Sequence, residues 1–273
     1  MEKIYDNILD RSIFIFLNKF FSGKMSLFND KLKKITLKEI LSLIIVLFVI
    51  QYCFNTLNIV HIDTYWIYFF IIFFFIFKLR DEIFNVGEDI SQAFQPKILK
   101  TVFFLIVLNV FFSYGMLYFS DFILNVIPKG NLFNSILTTG LIASVFISPI
   151  SEELIFRGVF LNRLQLVVPP VFAVLISSLL FASLHGFGTI FSAFIFGICA
   201  SILYLKTKNI FIAIMFHFLN NLFAEIIVLC DSSNILFTDG LVILAMSVLA
   251  VISFIILLVF ITRQLKVLNN GEL

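Results

Sequence analysis

Apolar runs about twenty residues long recur along this chain, and the charges gather in short stretches between them. A hydrocarbon layer ~30 Å thick needs about 20 apolar residues in a helix to cross it. Read against that length, the pattern predicts eight spans at about 41–60, 64–78, 101–120, 132–149, 170–185, 188–205, 209–230 and 240–262. The second and fifth are the shortest. The runs are continuous rather than alternating, which argues against barrel strands. Lipid offers no partner to backbone polar groups, so the helix is the spanning form that remains. The predicted fold is an all-α, polytopic transmembrane helix bundle of about eight spans.

Composition sharpens this. Of 273 residues, 61% are apolar and 13% charged, with a mean hydropathy of +1.09. Soluble domains are about 45–50% apolar and about 25% charged, so a soluble enzyme is excluded, and so is a disordered chain. A net charge of +2 gives no reason to expect a nucleic-acid partner; the expected partner is the lipid bilayer. Cys53, Cys199 and Cys230 show no metal-ligand spacing and read as small buried hydrophobes. With the N-terminus in the cytoplasm, the segments 1–40, 78–100, 151–168, 206–208 and 263–273 fall inside and hold 18 of the 19 Lys and Arg; only Lys129 falls outside. Both termini are then cytoplasmic. Residues 1–40 read as a cytoplasmic or interfacial segment without a signal peptide, the first 22 suited to lying on the inner leaflet. Residues 41–262 read as the transmembrane domain and 263–273 as a tail. The 38 Phe and the excess of 14 Lys over 5 Arg fit an AT-rich coding sequence, as in a low-GC bacterium, and so a bacterial plasma membrane.

Ionisable side chains are costly inside a membrane and are functional candidates by default. They concentrate in residues 148–225. Ser148-Pro-Ile-Ser-Glu-Glu-Leu-Ile-Phe-Arg157 is the densest stretch. Pro149 is expected to kink a continuing helix, or to start a new one with Ser148 as its cap. Glu153 and Arg157, four apart, share a face and can pair, while Glu152 points about 100° away. Such an arrangement can tie one carboxylate to Arg and leave the other as a base; equally, it is what a simple salt bridge at an interfacial helix end would show. Phe181 and His185 again share a face, with Gly186 and Gly188 after them. His217 and Asn221 do so inside the seventh span. In antiparallel helices turning near 167–170, Glu152 and His185 come level at ~22–25 Å from the turn, whereas His217 lies ~13 Å from the cytoplasmic boundary. The depths agree if 157–168 projects beyond the bilayer. Asn55 and Asn109 are expected to bond between helices, Glu225 to pair locally, and the Phe-rich run 69–77 to serve lipid contact and packing.

The three motifs in order, E-E-x-x-x-R (Glu152, Glu153, Arg157), F-x-x-x-H (Phe181, His185) and H-x-x-x-N (His217, Asn221), resemble the CAAX protease and bacteriocin-processing family, also called the Abi or type II CAAX prenyl endopeptidase family. The resemblance covers about residues 130–230. It implies an intramembrane glutamate-dependent endopeptidase acting on a membrane-associated peptide or protein. Glu152 would be the general base, His185 would hold or activate the water, and His217 and Asn221 would stabilise the oxyanion, with Glu153, Arg157 and Phe181 in support. It implies no cofactor. The residues agree with such chemistry: no Ser or Cys stands out as a nucleophile, and H-E-x-x-H, G-x-S-x-G and G-x-G-D are missing. Zinc held by Glu152, His185 and His217 is the minor alternative. Two other functions stay open: a non-catalytic bacteriocin-immunity or regulatory membrane protein on the same fold, and a proton-coupled transporter.

Overall fold

A computed structural model describes residues 25–124, 141–186 and 188–270. The expected surface helix at 1–22, residues 132–140 of the fourth span and Lys129 lie outside these residues. The helices are α1 (Leu27–Lys34), α2 (Leu37–Thr56), α3 (Thr64–Lys78), α4 (Gly87–Ala93), α5 (Pro96–Leu124), α6 (143–164), α7 (Pro170–Ala182), α8 (Ile190–Thr207), α9 (Ile210–Cys230), α10 (Ile235–Thr238) and α11 (Gly240–Asn269). Their starts follow from local chemistry. Thr36 and Glu39 close a reciprocal capping box on α2, and Asp239 accepts the first free amides of α11. Pro96 and Pro170 open α5 and α7, where the missing N–H costs nothing. Helices α2, α5, α8, α9 and α11 are long and apolar enough to cross a membrane, and α3 and α7 are shorter apolar helices. The protein is an all-α, multi-pass membrane bundle.

The fourth predicted span differs most from expectation. It does not end near Pro149, nor does Ser148 cap a new helix there. Ser148 is helical, and α6 runs on to Leu164, alternating wide π-type turns at Ala143–Ile147 and Leu154–Leu161 with α turns at Ser148–Glu153 and Asn162–Leu164. The Ser148 amide bonds the carbonyl of Ala143, five residues back. This wider register lets the chain pass Pro149, which has no N–H to donate. Side chains support the second wide segment. Asn162 donates to the carbonyls of Arg157 and Gly158 at 3.1 and 2.8 Å, and Ser177 donates to that of Phe156 at 3.0 Å.

Residues 154–159 are buried inside the protein. Gly158 sits under Leu32 of α1, and Arg163 donates to the Ile35 carbonyl at 2.8 Å. Arg157 and Lys206, which charge counting assigned to cytoplasmic segments, are both buried side chains, and Lys206 bonds Gln264 of α11. Among the cysteines Cys199 alone is buried; Cys53 and Cys230 are exposed. Asn109 bonds Asn220 of α9 at 2.9 Å, as an interhelical residue should. Asn55 instead ties down the α2–α3 loop, exchanging bonds with the backbone of Ile62 at 2.7 and 3.1 Å. In the Phe-rich run, Phe69, Phe70, Phe73 and Phe77 are exposed and Phe75 is packed inside.

Candidate active site

The site forms where α6, α7, α8 and α9 meet. His217 stands seven residues into α9 and Gly197 ten residues before the end of α8, so the site lies ~10–15 Å from the helix ends where α8 passes into α9. Antiparallel pairing of α6 and α7 brings Phe156 to Phe181, with ring centroids 5.5 Å apart, and so sets Glu152 level with the end of α7.

At the centre is Glu153, fully buried. Its Oε1 accepts from Arg157 Nη1 at 2.9 Å and from His217 Nδ1 at 2.8 Å. A carboxylate oxygen only accepts, so Nδ1 carries a hydrogen and Nε2 is the ring nitrogen left to face the site. Nε2 faces Glu152 Oε2 at 4.0 Å. Arg157, also fully buried, donates Nη2 to the Gly197 carbonyl at 3.0 Å and lies 4.5 Å over the Phe181 ring, a cation–π contact. The ion pair is therefore not an exposed bridge at a helix end: it is a fixed strut in the core that orients His217.

Phe181 is the packing hub. His185 and His217 lie against its ring at 4.6 and 5.6 Å, and His217 also packs on Phe196 at 4.8 Å. His185 stands in the turn just beyond α7, half-buried. Its Nδ1 donates to the Phe181 carbonyl at 3.1 Å, which leaves Nε2 as an acceptor. Asn221 lies one turn beyond His217 and donates to the Ser144 carbonyl in the first wide turn of α6 at 3.0 Å. Glu225, one turn further, accepts from Ser144 Oγ at 3.1 Å, so it pairs across helices and not locally.

Glu152 differs from Glu153. Ser148 Oγ donates to its Oε1, and Glu152 is one of the residues lining a cleft of about 420 Å³ between α2, α3, α6 and α7. Ile44, Phe48, Ile67, Ile155 and Leu180 form apolar walls, and Tyr68 stands beside Glu152. One carboxylate is thus locked in the core and the other presented to a cavity.

Residues 133–223 match a known family model. The match is to the type II CAAX prenyl endopeptidase Rce1-like family. The Rce1-like region spans about a third of the chain and contains all seven motif residues, from Glu152 to Asn221. It supports a membrane endopeptidase. The search of curated proteins returned no match, and neither did the search of solved structures. Among the described residues no group of three or more His, Cys, Asp or Glu is arranged to hold a metal ion.

Ser148, Tyr68, Ser144, Phe196 and Gly197 were not anticipated from sequence. The spacing of Ser148 four residues before Glu152 was a usable signal. Tyr68, in a flanking helix 84 positions earlier than Glu152, offered none.

Proposed function

We propose that the protein is an intramembrane endopeptidase that hydrolyses a peptide bond of a membrane-associated protein or peptide, with Glu152 activating the attacking water. The observation that carries this reading is the double engagement of Glu153 Oε1 by Arg157 and His217, which turns Nε2 of His217 toward Glu152. Glu152 takes a proton from water as the water oxygen attacks the carbonyl carbon. It returns that proton to the amide nitrogen as the C–N bond breaks. His185 accepts from the same water through Nε2. Asn221 has a second amide hydrogen beyond the one held by Ser144; with His217, in the form that carries a hydrogen on Nε2 as well as Nδ1, it stabilises the carbonyl oxygen as charge develops. Such a donor is worth about 3 kcal/mol where one has been removed from other enzymes. The cleft beside Glu152 suits an apolar peptide flank.

The test compares membranes of cells carrying the wild type, Glu152→Gln, Glu152→Ala or an empty vector, with new peptide N-termini read by mass spectrometry. Termini that appear with the wild type and fall at least ~100-fold in both variants support the reading. Equal termini from folded variants, or none above the vector background, overturn it; the latter favours a non-catalytic role. The chemistry is proposed as metal-free, so 1,10-phenanthroline is expected to leave wild-type cleavage unchanged; inhibition reversed by zinc would replace that step with metal-assisted hydrolysis.

A further inference from the structure

We infer that Tyr68 on α3, together with Ser148, is a positioning residue for Glu152, so that a helix outside the Rce1-like region completes the site. The inference rests on Glu152 being the base proposed above. Ile67, Ile71 and Phe75, at intervals of four, are buried and fix one face of α3 against the bundle. Tyr68 stands beside that face, half-buried, and lines the same cleft as Glu152. Its hydroxyl comes within interaction range of both the Glu152 carboxylate and Ser148. A phenol in an apolar wall needs a polar partner. The other hydroxyl on the cleft wall, Ser183, is already turned to the Leu180 carbonyl at 2.7 Å. Glu152 and Ser148 are the partners that remain.

The consequence is directional. Ser148 holds Oε1, and Tyr68 approaches the same carboxylate from the opposite helix. The carboxylate then has a defined rotamer, with Oε2 turned to Nε2 of His217 at 4.0 Å. A free carboxylate on a flexible stem would sample other rotamers and meet its water less often. The charged or titratable groups around Glu152 are Glu153 and Arg157 of α6, His185 after α7, His217 of α9 and Tyr68 itself.

The experiment uses the purified full chain in liposomes with a library of quenched fluorescent peptides, half of them carrying a farnesylated cysteine; the best-cleaved member serves for kinetics. Variants are Tyr68→Phe, Ser148→Ala, Ser148→Thr and Glu152→Gln, each checked by melting temperature. Tyr68→Phe and Ser148→Ala are expected to lower kcat about 10-fold with KM within about 2-fold, a change in the reacting state and not in binding. Ser148→Thr, which keeps the hydroxyl, should restore kcat. If Glu152→Gln is inactive while Tyr68→Phe keeps the wild-type kcat, or changes KM alone, the positioning role is overturned and the base survives. If Glu152→Gln cleaves like the wild type, the base reading itself fails.

Discussion

Helices α2 and α8 have nearly the same mean hydropathy, 2.0 and 1.8 over their most apolar windows, yet 6% of the α2 window is buried and 83% of the α8 window is. Hydropathy cannot tell them apart because lipid tails are as apolar as leucine. Size can. The inner half of α2 is Leu, Ile, Val and Phe, whereas α8 carries Ser192, Ala193, Gly197, Ala200 and Ser201. Small residues let backbones approach closely, and close approach is what associates helices in lipid. At Gly197 an added Cβ would stand 3.0 Å from the Ser178 Cβ and 3.2 Å from Arg157 Nη2. The glycine therefore seats α8 on α7 and also delivers its carbonyl to the arginine. Burial in this bundle is specified by small side chains and polar pairing, and the candidate site lies where both coincide.

The largest expected effect comes from the polar pairing. Arg157→Met should leave the Glu153 charge buried without its partner, a loss of about 3–5 kcal/mol. Glu153→Gln combined with Arg157→Met should recover part of that stability, because the uncompensated charge is gone, but not activity, because His217 then faces a neutral amide that no arginine holds in place. Unfolding in mixed micelles, followed by circular dichroism, reads the first; cleavage of the peptide library reads the second. A double variant no more stable than the single one would mean the pair is not the strut it is taken for.

This contrast also explains what the sequence made legible. The helical class, the longer spans and the pairs Glu153–Arg157, Phe181–His185 and His217–Asn221 follow from patterns within single helices, apolar runs and spacing four; bringing α6, α7 and α9 together at one depth needed their packing. Asn221 is on the expected face, but one of its hydrogens holds the Ser144 carbonyl. What was not legible depends on neighbours distant in sequence. Pro149 leaves a kinked or a restarted helix open, and only the wide turns on either side of Ser148–Glu153 show how the helix continues through it. Arg157 is legible as a partner of Glu153, but its full burial is not, because spacing cannot see the Phe181 ring and the Gly197 carbonyl that receive it. Tyr68 has no motif, since its relation to Glu152 is made entirely by the packing of α3.

Glycine substitutions separate the two regions at intermediate size. Gly197→Ala should cost about 1–3 kcal/mol, the range for overpacking, and should lower activity as well, since Arg157 and Ser178 must both move. Gly115→Ala in α5 places its Cβ 2.2 Å from that of Ala250 in α11, a tighter clash, so its stability cost should be at least as large. Gly115, however, touches no site residue, and the residual activity per folded molecule should remain near wild type. Melting temperature and specific activity measured together decide the matter; parallel loss of activity in Gly115→Ala would mean the α5–α11 seam transmits to the site.

The smallest stability effects are expected on α2, and here two adjacent residues divide structure from function. Phe48 and Val49 are 50% and 55% exposed. Truncating either to Ala removes contacts mainly with lipid, so each should change stability by no more than about 0.5 kcal/mol. They differ in one respect: Phe48 helps wall the cleft that holds Glu152, and Val49 does not. Under the proposed function, Phe48→Ala removes apolar surface from the place where a substrate flank would rest, without touching the reacting groups. A loss of uniform binding raises KM and spares kcat, so Phe48→Ala should raise KM several-fold at unchanged kcat, and Val49→Ala should alter neither. If Phe48→Ala is as silent as Val49→Ala, substrate does not enter along α2, and the exposed helix is lipid-facing throughout.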